Sequence, residues 1–224
     1  MIHRSIEPLI FAAVMMALPI GPAWAADEGA DTDHVISLET AYSTHFAAYA
    51  AGPAQSPLGV LLIHDRWGLN DRVRAWADRI AGLGYRVIAI DLYDGRPVAK
   101  PSEGREVWRT IDPVWTEANV DGALAYLQRT QTRIVVAGWG SGIGPVGDLA
   151  RRVPANALSG LILYYDDDTR DQAAHLPQRL TMPVLDISVG RSLVYPEKRE
   201  TAAEHKAVED VWDATSKFLA RFAE

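Results

Sequence analysis

The stretch VVAGWGSGIGPVG, residues 135–147, reads as a buried strand turning sharply into a helix. At such a turn an α/β enzyme presents its nucleophile, with the orphan N–H groups of the helix start close by to meet a developing negative charge. The residue at the tip is Gly140, which has no side chain that could attack. The nearest hydroxyl belongs to Ser141, but the one-residue shift turns its side chain away from the tip. It also has Trp139 and Ile143, not glycines, two residues to either side. Ser141 is therefore either a displaced nucleophile or a helix-start residue whose hydroxyl caps backbone donors.

Three further groups have chemistry to offer. His64 and Asp65 end an apolar run and could make a base or a metal pair, although neighbours on a strand end point to opposite sides. Asp166, Asp167 and Asp168 follow another apolar run, and three carboxylates could hold a hard cation such as Ca²⁺, which takes oxygen ligands only. Calcium loops alternate their ligands, so a solvated turn is the competing expectation. The glycines of GWGSGIG miss the G-x-G-x-x-G spacing from either start, with Ile143 or Pro145 at the third glycine position, and no Walker lysine follows. No cofactor is expected. The chain has no cysteine, which excludes disulfides, thiolate metal sites and a cysteine nucleophile together.

These groups sit on a regular alternation of elements. HVISLET and HFAAYAA read as two short strands, a hairpin at a sheet edge. LGVLLIH, YRVIAIDLY, TRIVVAG, GLILYY and MPVLDIS are apolar runs of strand length, as expected for strands buried on both faces. Between the first two of these runs, Val73, Trp76, Ala77, Ile80 and Ala81 recur at helical spacing, opened by Asn70 or Asp71 and closed by Gly82 or Gly84. WTEANVDGALAYLQRT is a second helix, and a last one places Val208, Val211, Trp212, Thr215, Phe218, Leu219 and Phe222 on one face. The expectation is an α/β fold, one domain with a mostly parallel, doubly wound sheet, whose ligands bind outside the carboxyl ends of the strands.

Residues 1–25 combine a basic start, a 12-residue apolar run (Leu9 to Ile20) and the small-x-small site Ala23-Trp24-Ala25, which predicts a cleaved signal peptide and a periplasmic or secreted protein. Residues 26–33, ADEGADTD, are expected to be a disordered mature N-terminus, and 34–224 the α/β domain. Arg4 and Glu7 cancel within the leader, so the mature chain keeps the net charge of −7 and presents no electrostatic footprint for nucleic acid or anionic lipid. No membrane span is expected after cleavage.

The segment LLIHDRWGLNDRVRAWADRIAGLGYRVIAIDLYDGRP (61–97) resembles the dienelactone hydrolase family of α/β-hydrolases, as do GALAYLQ, VVAGWGSG, LILYY, PVLDISVG and the tryptophan-bearing last helix. The resemblance implies esterase or lactonase chemistry by a cysteine or serine nucleophile, a histidine base and an aspartate. It places the nucleophile at Gly140 and the acid at Ser192 or Leu193, neither of which can hold an imidazolium; Asp186 lies in mid-strand with a structural role. The base fares no better. Between Pro196 and Val208 stand eleven residues, EKRETAAEHKA, where a helix, a strand and a histidine loop need roughly twenty. The fold is thus expected to be shortened near its C-terminus, with His205 already helical and structural or solvent-facing.

The resemblance also implies an oxyanion site at the N–H groups of Arg66 and Ser141, and an acidic residue where Asp65 stands. Arg96 falls within one residue of a family arginine that binds the substrate carboxylate; the alternative is a surface arginine in a turn. The residues leave two main readings open. In one, the triad is lost and the protein binds a small carboxylate or ester, or a protein partner, around Arg66, Arg96, Gly140 and Ser141. In the other, Ser141 cleaves esters or lactones with Asp65 or His64. A metal-assisted enzyme using Asp166 to Asp168 is a third.

Overall fold

The computed structural model describes residues 34–176, 180–189 and 202–223. Seven strands form one sheet: β1 (His34–Glu39), β2 (His45–Ala51), β3 (Leu58–Ile63), β4 (Arg86–Ile90), β5 (Arg133–Trp139), β6 (Gly160–Tyr165) and β7 (Val184–Ser188). Their order across the sheet is β1-β2-β4-β3-β5-β6-β7. β1 and β2 pair antiparallel, as do β2 and β4; all other pairs are parallel. The parallel strands therefore bring the loops after β3, β4, β5 and β6 to one edge of the sheet, where a doubly wound fold binds ligands.

Helices cover both faces because alternate residues of each central strand point to opposite sides. From β3, Leu58, Val60 and Leu62 join one apolar cluster with Val73, Trp76, Ala77 and Ile80 of α1 (Asp71–Ala81) and with Val211, Phe218 and Leu219 of α6 (Ala202–Ala220). Leu61 and Ile63 join the other, with α2 (Pro101–Thr110), α3 (Pro113–Leu127), α4 (Ile143–Arg152) and α5 (Arg170–His175). The carboxamide oxygen of Asn70 accepts from the Arg72 and Val73 N–H groups and starts α1, and Gly82 ends it.

Four local expectations need correction. α2 and α5 were not legible as helices. β7 is buried less thoroughly than the central strands because its outer edge carries no paired strand among the described residues, and Asp186 on it is exposed. Phe222 lies just past the end of α6. The two N-terminal segments 1–25 and 26–33, and the acid positions Ser192 and Leu193, lie outside the described residues. No strand follows β7 among those described, and no described helix is long and apolar enough to cross a membrane.

Candidate functional site

The strand-to-helix turn is built by three glycines with different jobs. A Cβ on Gly142 would come within 2.6 Å of the carbonyl oxygens of Ile63 and His64, so only glycine lets the start of α4 lie against the end of β3. Gly138 is confined in the same way by the Gly142 carbonyl and Val146. Gly140, at the tip, has φ +48°, in the left-handed region that side chains adopt at a cost. A Cβ built there would meet one residue, Asp65, at 3.2 Å from its Cβ and 3.7 Å from Oδ2. The tip of the turn is thus aimed at a carboxyl group.

Asp65 is 4% exposed and its Oδ1 accepts the Trp67 N–H at 2.8 Å. Burial pushes its carboxyl up to about 7, helped by the nearby Asp166 and opposed by the Trp67 amide and the Arg66 charge. His64 beside it is fully buried, and both ring nitrogens are engaged by backbone. Nε2 accepts the Leu92 N–H at 3.0 Å, which leaves the proton on Nδ1, and Nδ1–H donates to the Asp65 carbonyl at 2.7 Å. Burial lowers its pKa against the pull of Asp91, so the ring is a neutral strut between β3 and β4. Tyr93 and Trp108 pack edge-on against it at 4.9 and 6.2 Å.

Arg66 reaches the loop after β6. Its Nη2 donates to Asp168 Oδ2 at 2.9 Å and lies 3.7 Å from Asp166. Asp166 Oδ1 accepts from both the N–H and the hydroxyl of Thr169, closing a tight turn after β6. Asp167 faces outward and pairs with Arg170. The three consecutive carboxylates therefore diverge, two toward a guanidinium and one toward solvent. Among the described residues no three His, Cys, Asp or Glu side chains are grouped to hold a metal ion.

Ser141 is half-buried in a 3₁₀ turn (Gly140–Gly142) and caps no backbone donor, contrary to the capping expectation. It lines a cleft of about 400 Å³ with Trp108, Ile111, Val120, Thr169 and Gln172 among its walls, and no histidine among the described residues lines that cleft. Arg96 is exposed and borders a different hollow, with Trp67, Asn70 and Arg74, because the Asp91 carboxylate accepts the Tyr93 and Gly95 N–H groups and turns the chain outward. His205 lies on the exposed side of α6. The structure therefore brings Asp65 to Gly140, and Arg66 to Asp166 and Asp168, but leaves Arg96 and Ser141 in separate hollows and His205 on a surface helix. The Tyr93 hydroxyl, which donates to the Arg66 carbonyl at 3.0 Å, escaped sequence reasoning altogether.

A mostly parallel sheet wrapped by helices on both faces, with a glycine-framed turn after β5, defines an α/β-hydrolase fold. The model of the dienelactone hydrolase family matches residues 46–192, and the chain belongs to that family. A candidate carboxymethylenebutenolidase of Saccharolobus solfataricus is 41% identical over 46 residues, which are 20% of this chain and only 18% of that relative's length. Among solved structures, a candidate dienelactone hydrolase from Klebsiella pneumoniae superposes with TM-score 0.61 at 15% identity, over 86% of this chain and 98% of its own. The m3DLH structure does so with TM-score 0.55 at 24% identity, over 81% and 76%.

Proposed function

We propose that this family member binds a small ester- or carboxylate-bearing ligand at the turn after β5 without forming a covalent acyl intermediate. The observation that carries the reading is Gly140, a residue without a side chain at the one position where φ +48° and the approach to Asp65 mark the tip of the turn. Acyl transfer needs a nucleophile with a proton acceptor beside it. His64, whose carbonyl lies against the turn at Gly142, has both ring nitrogens committed to backbone. Asp65 is a buried carboxyl that can accept or donate one proton, but it has no attacking atom next to it. The expected acid position is Ser192, which cannot orient an imidazolium. A glycine at the tip also removes the conformational cost of a side chain there, so the turn survives loss of the nucleophile without penalty. What persists is the frame of an oxyanion site, a helix start beside the loop of Arg66.

One observation favours a second reading, ester or lactone hydrolysis by Ser141: this residue faces the 400 Å³ cleft with no hydrogen bond to its hydroxyl among the described residues. The test is turnover of short p-nitrophenyl esters and of a dienelactone by the purified protein beside Ser141→Ala. A slow rate identical in the two proteins supports ligand binding; a rate abolished by the substitution supports hydrolysis and overturns the first reading. The apolar run at 9–20 and the Ala-Trp-Ala site support export to the periplasm or beyond as part of the proposal, tested by whether the mature N-terminus begins at Ala26.

A further inference from the structure

We propose that the ligand of the cleft beside Ser141 is a cationic ester, with its carbonyl group at Ser141 and a terminal ammonium recognised by the Glu117 and Asp148 carboxylates. The inference rests on the ligand-binding reading above and narrows its ligand from any small ester or carboxylate to an ester carrying a positive charge.

Two helices line the cleft with one stripe each. Ser141, Gly144, Pro145, Asp148 and Arg152 follow one another at three- and four-residue steps from the turn along α4. Pro113, Thr116, Glu117 and Val120 make the corresponding stripe of α3. At about 1.5 Å of rise per residue, Ser141 and Asp148 stand roughly 10 Å apart along the helix. Ser141, whose hydroxyl makes no hydrogen bond among the described residues, marks the end at the turn. Trp108, Ile111 and Val120 supply apolar wall for a chain that joins the two ends.

The two carboxylates are open to a cation. Glu117 is 55% exposed in its side chain, accepts no hydrogen bond among the described residues and stands 3.6 Å from Arg152 Nε. Asp148 is 64% exposed; its Oδ1 accepts from Arg151, and its Oδ2 has no partner among the described residues. Arg151 does not line the cleft, and an exposed pair of this kind is weakly held, so a second cation can share the carboxylate. The basic side chain that does line the cleft is already committed. Both Nη atoms of Arg152 donate to Asp121 Oδ1, at 3.0 and 3.1 Å, which leaves no open fork for a ligand carboxylate. No other Lys or Arg among the described residues lines the cleft. With a net charge of −7 on the whole chain, the field at this wall favours a positive ligand and repels a negative one.

The test is NMR titration of the full chain at low ionic strength with three methyl esters of one length. These are methyl 6-aminohexanoate, methyl heptanoate, in which a methyl group replaces the ammonium, and monomethyl heptanedioate, in which a carboxylate does. Their chain of about five methylenes, with a hydrogen bond of about 2.9 Å at the ammonium, covers the span of roughly 10 Å. The proteins are the wild type, Glu117→Gln, Asp148→Asn, the double variant, and Asp213→Asn, which removes the same charge from an exposed position on α6. The amino ester is expected to bind the wild type tightest of the three. It should weaken about threefold in each single cleft variant and about tenfold in the double, the scale of exposed ion pairs. Methyl heptanoate should bind all five proteins alike, and Asp213→Asn should behave as wild type. The ranking of the three esters on the wild type decides without any variant: a neutral or acidic ester bound as well as the amino ester overturns the inference. Amino-ester affinity unchanged in the double variant, or weakened as much by Asp213→Asn, overturns it too. Equal binding of the three esters does so while leaving the ligand-binding reading intact, whereas binding of none of them removes that reading as well.

Discussion

Replacing Gly140 with serine places a hydroxyl at the tip of the turn and tests both what the backbone tolerates and whether a base stands beside it. The cost has two parts. A non-glycine residue held at φ +48° in the left-handed region is strained by roughly 1–2 kcal/mol. Its Cβ would also stand 3.2 Å from the Asp65 Cβ, closer than carbon atoms rest, so Asp65 must yield by a few tenths of an ångström within a buried site. Against this, glycine removal lowers unfolded-state entropy, an offset of about 0.4–1 kcal/mol. The net expectation is a loss of about 1–2 kcal/mol, which for a domain of this size lowers Tm by roughly 3–6 °C. Differential scanning calorimetry reads the stability, and p-nitrophenyl acetate turnover reads the activity. No esterase activity is expected, because the new hydroxyl finds a carboxyl but no free imidazole. A Tm unchanged or raised would refute the backbone argument, and a burst of p-nitrophenol would refute the claim that a base is missing.

Other expectations follow from the same neighbourhood. Burial raises the Asp65 carboxyl from 3.8 to about 7, so the folded state holds a proton that the unfolded state has released. Its effect on stability is nil below the unfolded value, grows as pH rises from 3.8, and is complete above about 7, where it costs on the order of 4 kcal/mol. Urea unfolding at pH 5 and pH 8 should therefore show a fall in wild-type stability that is blunted in Asp65→Asn; parallel curves for the two proteins would contradict the shift. His64→Phe orphans the Leu92 N–H and the Asp65 carbonyl, each worth about 1–3 kcal/mol when buried, and is expected to destabilise by several kcal/mol in the same assay. Stability left within 0.5 kcal/mol of wild type would show that the imidazole is not the strut between the strands. Gly142→Ala forces a methyl within 2.6 Å of two carbonyl oxygens and is expected to leave little soluble folded protein on expression.

The central strands and α1 were legible because their signals are local: unbroken apolar runs in β3, β5 and β6, and a capped 3.6-residue stripe from Val73 to Ile80. α2 was not, since the packed side of PSEGREVWRT is carried by only Gly104, Val107 and the partly buried Trp108, too few apolar residues to stand out, and α5 is six residues with Ala173 alone buried. At the site, the glycine spacing and the emptiness of the tip could be read directly. The partners could not. His64 is held by Leu92, 28 residues away, through the pairing of β3 with β4, and Arg66 meets Asp168, 102 residues away, because β5 pairs with both β3 and β6. Arg66 drew notice for its amide and Arg96 for its charge; the fold gives the buried ion pair to the first and a surface turn to the second.

The claim that covalent chemistry is gone is most directly tested by intact-protein mass spectrometry after incubation with a fluorophosphonate and, separately, with a p-nitrophenyl ester. The mass of the protein is expected to stay unchanged under both. An added phosphonyl or acyl mass, localised by peptide mapping to Ser141, would contradict the account.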